Sequence, residues 1–291
     1  MEREYTLGLY EKSMPSDLSW EQKMLSAKEA GFDYIEISID ETDAKLARLD
    51  MSKEERLELV RLMMVTGVPI RSMCLSGHRK YPLGSNDPEV EKRGMEIMEK
   101  AIQLAEDLGI RIIQLAGYDV YYEESSFETK KRFLKNLKKA THMAEKAGVV
   151  LGFETMETEF INTVEKAMKY TTLVDSPYLN VYPDIGNITN AAIEYKNDVL
   201  EDMMIGKGHL CAMHLKETVP GKFREIPFGT GHVNFKEAID LAWQLGIRKY
   251  VTEFWYVGNE NWKEDLVFAH DMFEKMLDEQ MTGKDEKNVE S

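Results

Sequence analysis

The sequence is poor in cysteine and in basic residues, and it has no long hydrophobic run. Its two cysteines, Cys74 and Cys211, are too few for a disulfide framework or a cysteine-rich zinc site. Lysine and arginine number 37 against 52 aspartates and glutamates, and the net charge of -15 disfavours nucleic acid and anionic membranes as partners. No apolar stretch is long enough to cross a bilayer, and no apolar run follows Met1. We therefore expect no signal peptide, no membrane contact and a cytoplasmic protein.

What is present is typical of a folded globular protein, with 43% hydrophobic and 31% charged residues. A length of 291 residues suits one large domain or two medium ones. No linker, low-complexity stretch or break in composition precedes residue 280. We therefore expect a single domain over residues 1–280, followed by a polar, frayed tail over residues 281–291.

Short apolar and β-branched runs alternate with longer amphipathic segments along the chain. The runs predict strands over residues 5–10, 34–39, 70–75, 110–116, 149–154, 179–184, 210–215 and 250–253. The amphipathic segments predict helices over residues 20–30, 53–66, 88–108, 128–147, 160–174, 235–245 and 262–277. Strands that alternate with helices in this way indicate parallel βαβ units.

Glycines follow five of the predicted helices and indicate left-handed helix ends before the next strand: Gly31, Gly67, Gly109, Gly148 and Gly246. Eight βα units in under 300 residues predict an α/β fold, a single-domain (β/α)8 TIM barrel, for which about 250 residues are typical. A doubly wound open sheet is the alternative. It is disfavoured because the first strand is followed by no glycine-rich phosphate loop.

Potential metal ligands end four consecutive predicted strands, the fifth to the eighth: Glu154, Asp184, His214 and Glu253. Barrel enzymes carry their catalytic residues at the C-terminal strand ends, and neighbouring strands lie about 4.8 Å apart, so the four side chains can reach one ion. Three carboxylates and an imidazole suit Mn²⁺, Zn²⁺ or Co²⁺. A single acidic residue at a strand end is more often a helix N-cap, so the prediction depends on the joint pattern. His209, at the opposite end of the seventh strand, is interpreted as structural.

Long loop segments carry a resemblance to a known family: LGLYEKSMP, SIDETDAKLARLD, SMCLSGHRKYPLGS, QLAGYDVYY, YPDIGN, HLKETVPGKFREIPFGTG and TEFW. Over residues 7–276 the chain resembles the sugar-phosphate epimerases of the xylose-isomerase-like TIM barrel superfamily. Within that superfamily it resembles the 3-epimerases of L-ribulose 5-phosphate and L-xylulose 5-phosphate, as in bacterial L-ascorbate degradation. In the superfamily, the positions that match the four strand-end residues bind the metal. The resemblance implies one divalent ion, Zn or Mn, a small-molecule sugar phosphate as partner, and a homodimer.

A 3-epimerase removes a proton from the carbon beside a ketone and returns one to the opposite face, which requires two acid/base groups. Glu154 and Glu253 are the predicted pair, with Asp184 and His214 holding the metal that stabilises the enediolate as a Lewis acid. Asn187, after the sixth strand, is predicted to bind a substrate hydroxyl. Trp255 and other rim aromatics are candidate walls of the pocket, although a loop aromatic more often serves packing.

Two basic loops are candidate phosphate sites, although ordinary surface charge is the alternative for any one of their side chains. They contain Lys216, Lys222 and Arg224 after the seventh strand, and His78, Arg79 and Lys80 after the third. Among these, the predicted substrate ligands are Lys216, Arg224, His78 and Arg79. His232 is assigned no role.

Three alternatives to a sugar-phosphate 3-epimerase remain at this point. An aldose–ketose isomerase or a free-ketose 3-epimerase could use the same scaffold, although the basic loops favour a phosphorylated substrate. A metal-dependent abasic-site endonuclease is disfavoured by the six histidines and the charge of -15. A non-catalytic sugar-binding protein is disfavoured by the complete set of four metal ligands.

Overall fold

The computed structural model describes the backbone of residues 3–289 and the side chains of residues 3–282. Within that range the strands are β1 (Thr6–Tyr10), β2 (Tyr34–Ile39), β3 (Ile70–Leu75), β4 (Ile112–Ala116), β5 (Val150–Glu154), β6 (Leu179–Tyr182), β7 (Met213–Leu215) and β8 (Lys249–Thr252). The helices are α1 (Trp20–Glu29), α2 (Asp43–Leu46), α3 (Lys53–Thr66), α4 (Pro88–Leu108), α5 (Phe127–Ala147), α6 (Val164–Val174), α7 (Ile185–Tyr195), α8 (Val199–Ile205), α9 (Phe235–Gln244) and α10 (Trp262–Val289).

The strands form one parallel sheet in the order β6-β5-β4-β3-β2-β1-β8-β7. The two end strands approach each other through isolated parallel bridges, Val181 with Leu210 and Asp184 with His214. The sheet is therefore a nearly closed barrel, and the predicted (β/α)8 fold is confirmed. A barrel places every C-terminal strand end at the same mouth, which is the condition for a site assembled from several strands.

Strand β2 shows how the barrel separates its two faces. Its three isoleucines join the large hydrophobic core between strands and helices, whereas Tyr34, Glu36 and Ser38 alternate with them and are equally buried. Because strand side chains alternate between faces, these three point into the barrel. A buried carboxylate is thus present in the barrel interior.

The predicted helix ends follow the expected local chemistry. Capping boxes begin α1, α3 and α5, in which Ser19, Ser52 and Ser126 accept hydrogen bonds from the backbone three residues later. The five glycines predicted at helix ends all have positive φ, from 66° to 97°. Their role in turning the chain from helix to strand is confirmed.

Several predicted boundaries were wrong. Strand β4 begins at Ile112, β6 ends at Tyr182, and β7 is limited to Met213–Leu215. The helix predicted over residues 160–174 is a short 3-10 helix followed by α6, because the Thr163 Oγ1 accepts a hydrogen bond from Lys166 N at 3.2 Å and begins a new helix.

Helices α7 and α8 were not predicted, and α10 is longer than expected. The glycine and asparagines at the start of α7 have low helix propensity, so no helix was predicted there. Gly186 is required because a Cβ at this position would lie 2.7 Å from the Lys216 carbonyl oxygen. Helix α10 continues to Val289 and so includes residues 281–289 of the predicted tail; residues 290 and 291 lie outside the described range. Of the helices described, none is both long and apolar enough for a membrane span.

Candidate metal and active site

The four strand-end side chains converge at the C-terminal mouth. Glu154, Asp184, His214 and Glu253 offer ligand atoms that all lie within 4.8 Å of one another. The His214 Nδ1 lies 3.0 Å from a Glu253 carboxylate oxygen, 3.5 Å from one of Glu154 and 3.8 Å from one of Asp184. All four residues are at most 5% exposed. The structure therefore brings together all four residues predicted from the sequence.

Three of these atoms are buried without a hydrogen-bond partner: Asp184 Oδ2, His214 Nδ1 and Glu253 Oε2. Buried polar atoms are nearly always hydrogen-bonded, whereas these three have only ionisable neighbours, with Lys216 Nζ 2.8 Å from Asp184 Oδ2. Their convergence fits the binding of a cation. The two carboxylate oxygens of Asp184 have different partners. Its Oδ1 caps α7 by accepting a hydrogen bond from Asn187 N at 2.8 Å, and its Oδ2 faces the cluster. The donor set fits a divalent metal ion.

A carboxylate missed by sequence reasoning holds His214 in place. The His214 Nε2 lies 2.6 Å from Glu36 Oε1, and the Tyr182 hydroxyl donates to Glu36 Oε2 at 3.1 Å. Metal-binding histidines characteristically donate their second ring N–H to such a carboxylate, which fixes the tautomer and the ring orientation. The available signal was an acidic residue between isoleucines in a strand predicted to be buried.

Glu154 has a comparable support. The side-chain amide of Gln114, on β4, donates to Glu154 Oε2, and both residues are buried. This contact uses one carboxylate oxygen, and the other oxygen, Oε1, lies 3.5 Å from His214 Nδ1. The available signal was again a polar residue between apolar ones, Ile113 and Leu115, in a predicted strand.

Lys216 lies beside the cluster. Its Nζ is 2.8 Å from Asp184 Oδ2 and 3.5 Å from Glu253 Oε2, and the residue is only 4% exposed. Burial lowers the pKa of Lys216, but the neighbouring carboxylates outweigh burial and raise it above its usual value. Lys216 is therefore a fixed positive charge at the base of the pocket.

The two glutamates of the cluster have opposite electrostatic environments. Burial raises the pKa of Glu154, and the negative charge of Glu253 raises it further. Burial also raises the pKa of Glu253, but the charges of Lys216 and His214 outweigh it and hold this pKa well below its usual value. Two carboxyl groups with oppositely shifted pKa values are the arrangement that enzymes use to separate an acid from a base.

A pocket opens above the cluster, and only part of the cluster is accessible from it. Glu154 and Glu253 line the pocket, whereas Asp184 and His214 do not. Asn187 also lines it, with its amide nitrogen donating to the Thr155 carbonyl at 2.7 Å and its Oδ1 unpartnered.

Cationic side chains surround the pocket entrance. Arg79 and Arg224 come from opposite loops and both approach Glu157, at 3.8 Å and 3.0 Å, and Arg224 also lies 6.0 Å from the ring centre of Trp255. Lys12, missed by sequence reasoning, lines the pocket as well and pairs with Asp40 at 2.5 Å. Arg79, Arg224 and Trp255 therefore line the same pocket, and their contact with substrate stays a prediction.

Other predicted residues lie elsewhere. His78 is buried below the loop, where its Nε2 pairs with the Gly94 carbonyl at 3.0 Å, so the predicted contact with substrate is not supported. Lys80 and Lys222 do not line the pocket. His209 is exposed near the N-terminal mouth, and His232 is bound to Thr218 Oγ1 at 3.0 Å.

The chain is similar to known proteins over nearly its whole length. It is 44% identical to the proteins named L-ribulose-5-phosphate 3-epimerase UlaE of Salmonella paratyphi A and Shigella sonnei, over 93% of this chain and 94% of each relative. Among solved structures, a D-tagatose 3-epimerase-like protein matches with a TM-score of 0.77 at 18% identity, covering 96% of this chain and 99% of the other. D-allulose 3-epimerase from Methylomonas sp. matches with a TM-score of 0.75 at 17% identity, covering 94% and 97%.

The two solved structures support the fold alone, because their sequence identity to this chain is low. The profile of a protein family matches residues 25–272, and this match agrees with the barrel, with the buried ligand cluster and with the UlaE relatives. The chain therefore belongs to the xylose isomerase-like TIM barrel family.

Proposed function

We propose that this protein inverts carbon 3 of a ketopentose 5-phosphate and interconverts L-ribulose 5-phosphate and L-xylulose 5-phosphate. The observation that carries the proposal is the position of the two glutamates. Glu154 and Glu253 are the only members of the four-residue cluster that line the pocket, so substrate can touch both. The names of the relatives at 44% identity support the same reaction.

Glu154, Asp184, His214 and Glu253 would hold one divalent ion, with Zn or Mn as the candidates. When bound there, such an ion supplies a Lewis acid that stabilises negative charge on the substrate oxygens. Asp184 and His214 are fully buried and are proposed to serve only as ligands.

The two pocket-facing glutamates carry the protons. One removes the C3 proton from one face of the sugar, and the other returns a proton to the opposite face, so their roles exchange when the reaction is reversed. The pKa of Glu154 is raised and that of Glu253 is lowered, which supports unequal proton affinities for the two groups.

The remaining pocket residues orient the substrate. Asn187 Oδ1 is available to accept a hydrogen bond from a sugar hydroxyl, and Trp255 forms a wall. Arg79 and Arg224 are proposed to bind the phosphate, since guanidinium groups make bidentate contacts with phosphate oxygens. Lys216 contributes positive charge near the reacting carbons rather than at the entrance. The cytoplasmic location and the homodimer remain predictions.

A substrate comparison tests the proposal. Metal-loaded protein is incubated with L-ribulose 5-phosphate or with L-ribulose, and the products are identified by NMR. We expect L-xylulose 5-phosphate from the first substrate, with kcat/KM higher by roughly 10²–10³ than for the free sugar, because each charge-assisted hydrogen bond contributes about 1.5–3 kcal/mol. Equal values for both substrates would indicate a free-ketose epimerase, and an aldose product would indicate an isomerase.

A further inference from the structure

A second cavity, of about 320 Å³, opens at the opposite, N-terminal mouth of the barrel. It shares no lining residue with the pocket above the metal ligands. Its inner wall comes from four strand residues that face the barrel interior, Tyr34, Ser72, Ile112 and Tyr182, and from Ala212, which directly precedes β7. The two mouths of the barrel therefore carry separate cavities.

The inner wall of this cavity is mainly apolar. The hydroxyl of Tyr34 donates to the Tyr250 carbonyl at 3.0 Å, and that of Tyr182 donates to Glu36 at 3.1 Å. Neither acceptor lines the cavity, so both hydroxyls are engaged elsewhere. A concave apolar wall with few polar groups is characteristic of a small-molecule site.

The rim of this cavity is positively charged. Arg71, Arg111 and Lys249 line it, all three are exposed, and none forms an ion pair or a side-chain hydrogen bond with the described residues. The acidic residue of the lining is Asp33, whose oxygens already bind Arg3 at 3.1 Å and the Leu7 amide at 2.7 Å. Three free cations around one cavity contrast with the chain's net charge of -15.

We propose that the cavity at the N-terminal mouth binds a phosphate monoester with a small apolar substituent. The apolar group occupies the barrel interior beside Ile112 and Ala212, and the phosphate contacts Arg71, Arg111 and Lys249. A single exposed arginine would not indicate a binding site. Two arginines and a lysine that line the edge of one apolar cavity can complement both halves of an amphiphilic anion. The inference is independent of the reaction proposed for the upper pocket.

Calorimetry with phenyl phosphate on the metal-loaded protein tests this site, with inorganic phosphate as the probe that lacks the ring. We expect phenyl phosphate to bind at least tenfold more tightly than inorganic phosphate, because the ring is removed from water. The double variant Arg71→Glu/Arg111→Glu should weaken its binding at least tenfold. Lys138→Glu/Lys139→Glu, two exposed lysines of α5 with the same change in net charge, should leave it within twofold.

Two further measurements locate the ligand. Arg224→Glu, at the upper pocket, should not change the affinity for phenyl phosphate. In the unmodified protein, methyl NMR signals of Ile112 and Ala212 should shift on titration, whereas that of Met156, which lines the upper pocket, should not. The proposal is overturned if inorganic phosphate binds as tightly, if Arg224→Glu rather than the Arg71/Arg111 pair abolishes binding, or if only the Met156 signal moves.

Discussion

Glu36 Oε1 lies 2.6 Å from His214 Nε2, in a part of the barrel where both side chains are fully buried. Burial lowers the pKa of His214, but the charges of Glu36 and Glu253 raise it well above its usual value. The opposite ring nitrogen, Nδ1, faces the carboxylates of the cluster. Glu36 thus determines which histidine nitrogen is available to a metal, although it lies outside the ligand set.

Glu36→Gln should weaken metal binding by about 10- to 100-fold, because an amide cannot act as the charged acceptor for the histidine N–H. Tyr182→Phe, which removes one hydrogen bond to Glu36, should have a smaller effect in the same direction. Tyr34→Phe is the matched control, since its hydroxyl binds the Tyr250 carbonyl instead. Affinities are measured by competition with a chromophoric chelator, and an unchanged affinity in Glu36→Gln would contradict this role.

The purified protein should contain one divalent ion per chain, because the cluster offers a single set of converging atoms. Elemental analysis measures the content, and a chelator should abolish activity until metal is restored. Binding of the ion should also stabilise the fold, by about 2.7 kcal/mol at a metal concentration 100 times Kd. Asp184→Ala should lose that stabilisation. Full activity of metal-free protein would exclude a role for the ion in catalysis.

Glu154→Gln and Glu253→Gln should each reduce epimerisation by about 10²- to 10⁴-fold, because each removes one of the two proton carriers. In deuterated water, each variant should still exchange the C3 proton of one epimer only, and the two variants should select opposite epimers. Metal content is determined in both variants to separate chemistry from ligand loss. A metal-loaded variant with near wild-type turnover would show that the two-glutamate mechanism is wrong.

Arg224→Ala and Arg79→Ala should raise KM for the phosphorylated ketose by about 10-fold or more, since each removes a charge-assisted contact. Turnover of the unphosphorylated sugar should change little. Lys222→Ala is the control, because Lys222 belongs to the same loop as Arg224 but does not line the pocket. An unchanged KM in both arginine variants would place the phosphate elsewhere, with Lys12 as the next candidate.

Burial lowers the pKa of His78 to about 4, from an ordinary value of 6.5. Between these two values the unfolded chain binds a proton that the folded protein does not, so stability must fall as the pH decreases from 6.5 to 4. The loss amounts to about 3 kcal/mol for this group. The variant His78→Gln lacks this titrating group. As the pH decreases from 6.5 to 4, its unfolding free energy should therefore rise relative to that of the wild type. The same pH dependence of the unfolding free energy in both proteins, measured by denaturation, would contradict this prediction.

Much of the fold followed from local patterns in the sequence. Alternating strands and helices, with glycines such as Gly67 and Gly148 at the helix ends, predicted the barrel, and the positive φ of these glycines confirms their part in it. Local sequence did not predict α7, because it contains Gly186. This glycine is present because the Lys216 carbonyl, from a distant part of the chain, packs closely against it. Helix propensity carries no information about such contacts.

The candidate ligands could also be found in the sequence, because a parallel barrel assigns one strand end to each of Glu154, Asp184, His214 and Glu253. Only the tertiary structure showed that Glu36 supports His214, since the two residues are 178 positions apart and meet through barrel closure. It also showed that Arg79 and His78, adjacent in the chain, have different environments. The short helical turn after β3 directs Arg79 to the pocket and buries His78. Strand order determines which residues reach a mouth of the barrel, but packing in three dimensions decides which of them face the site.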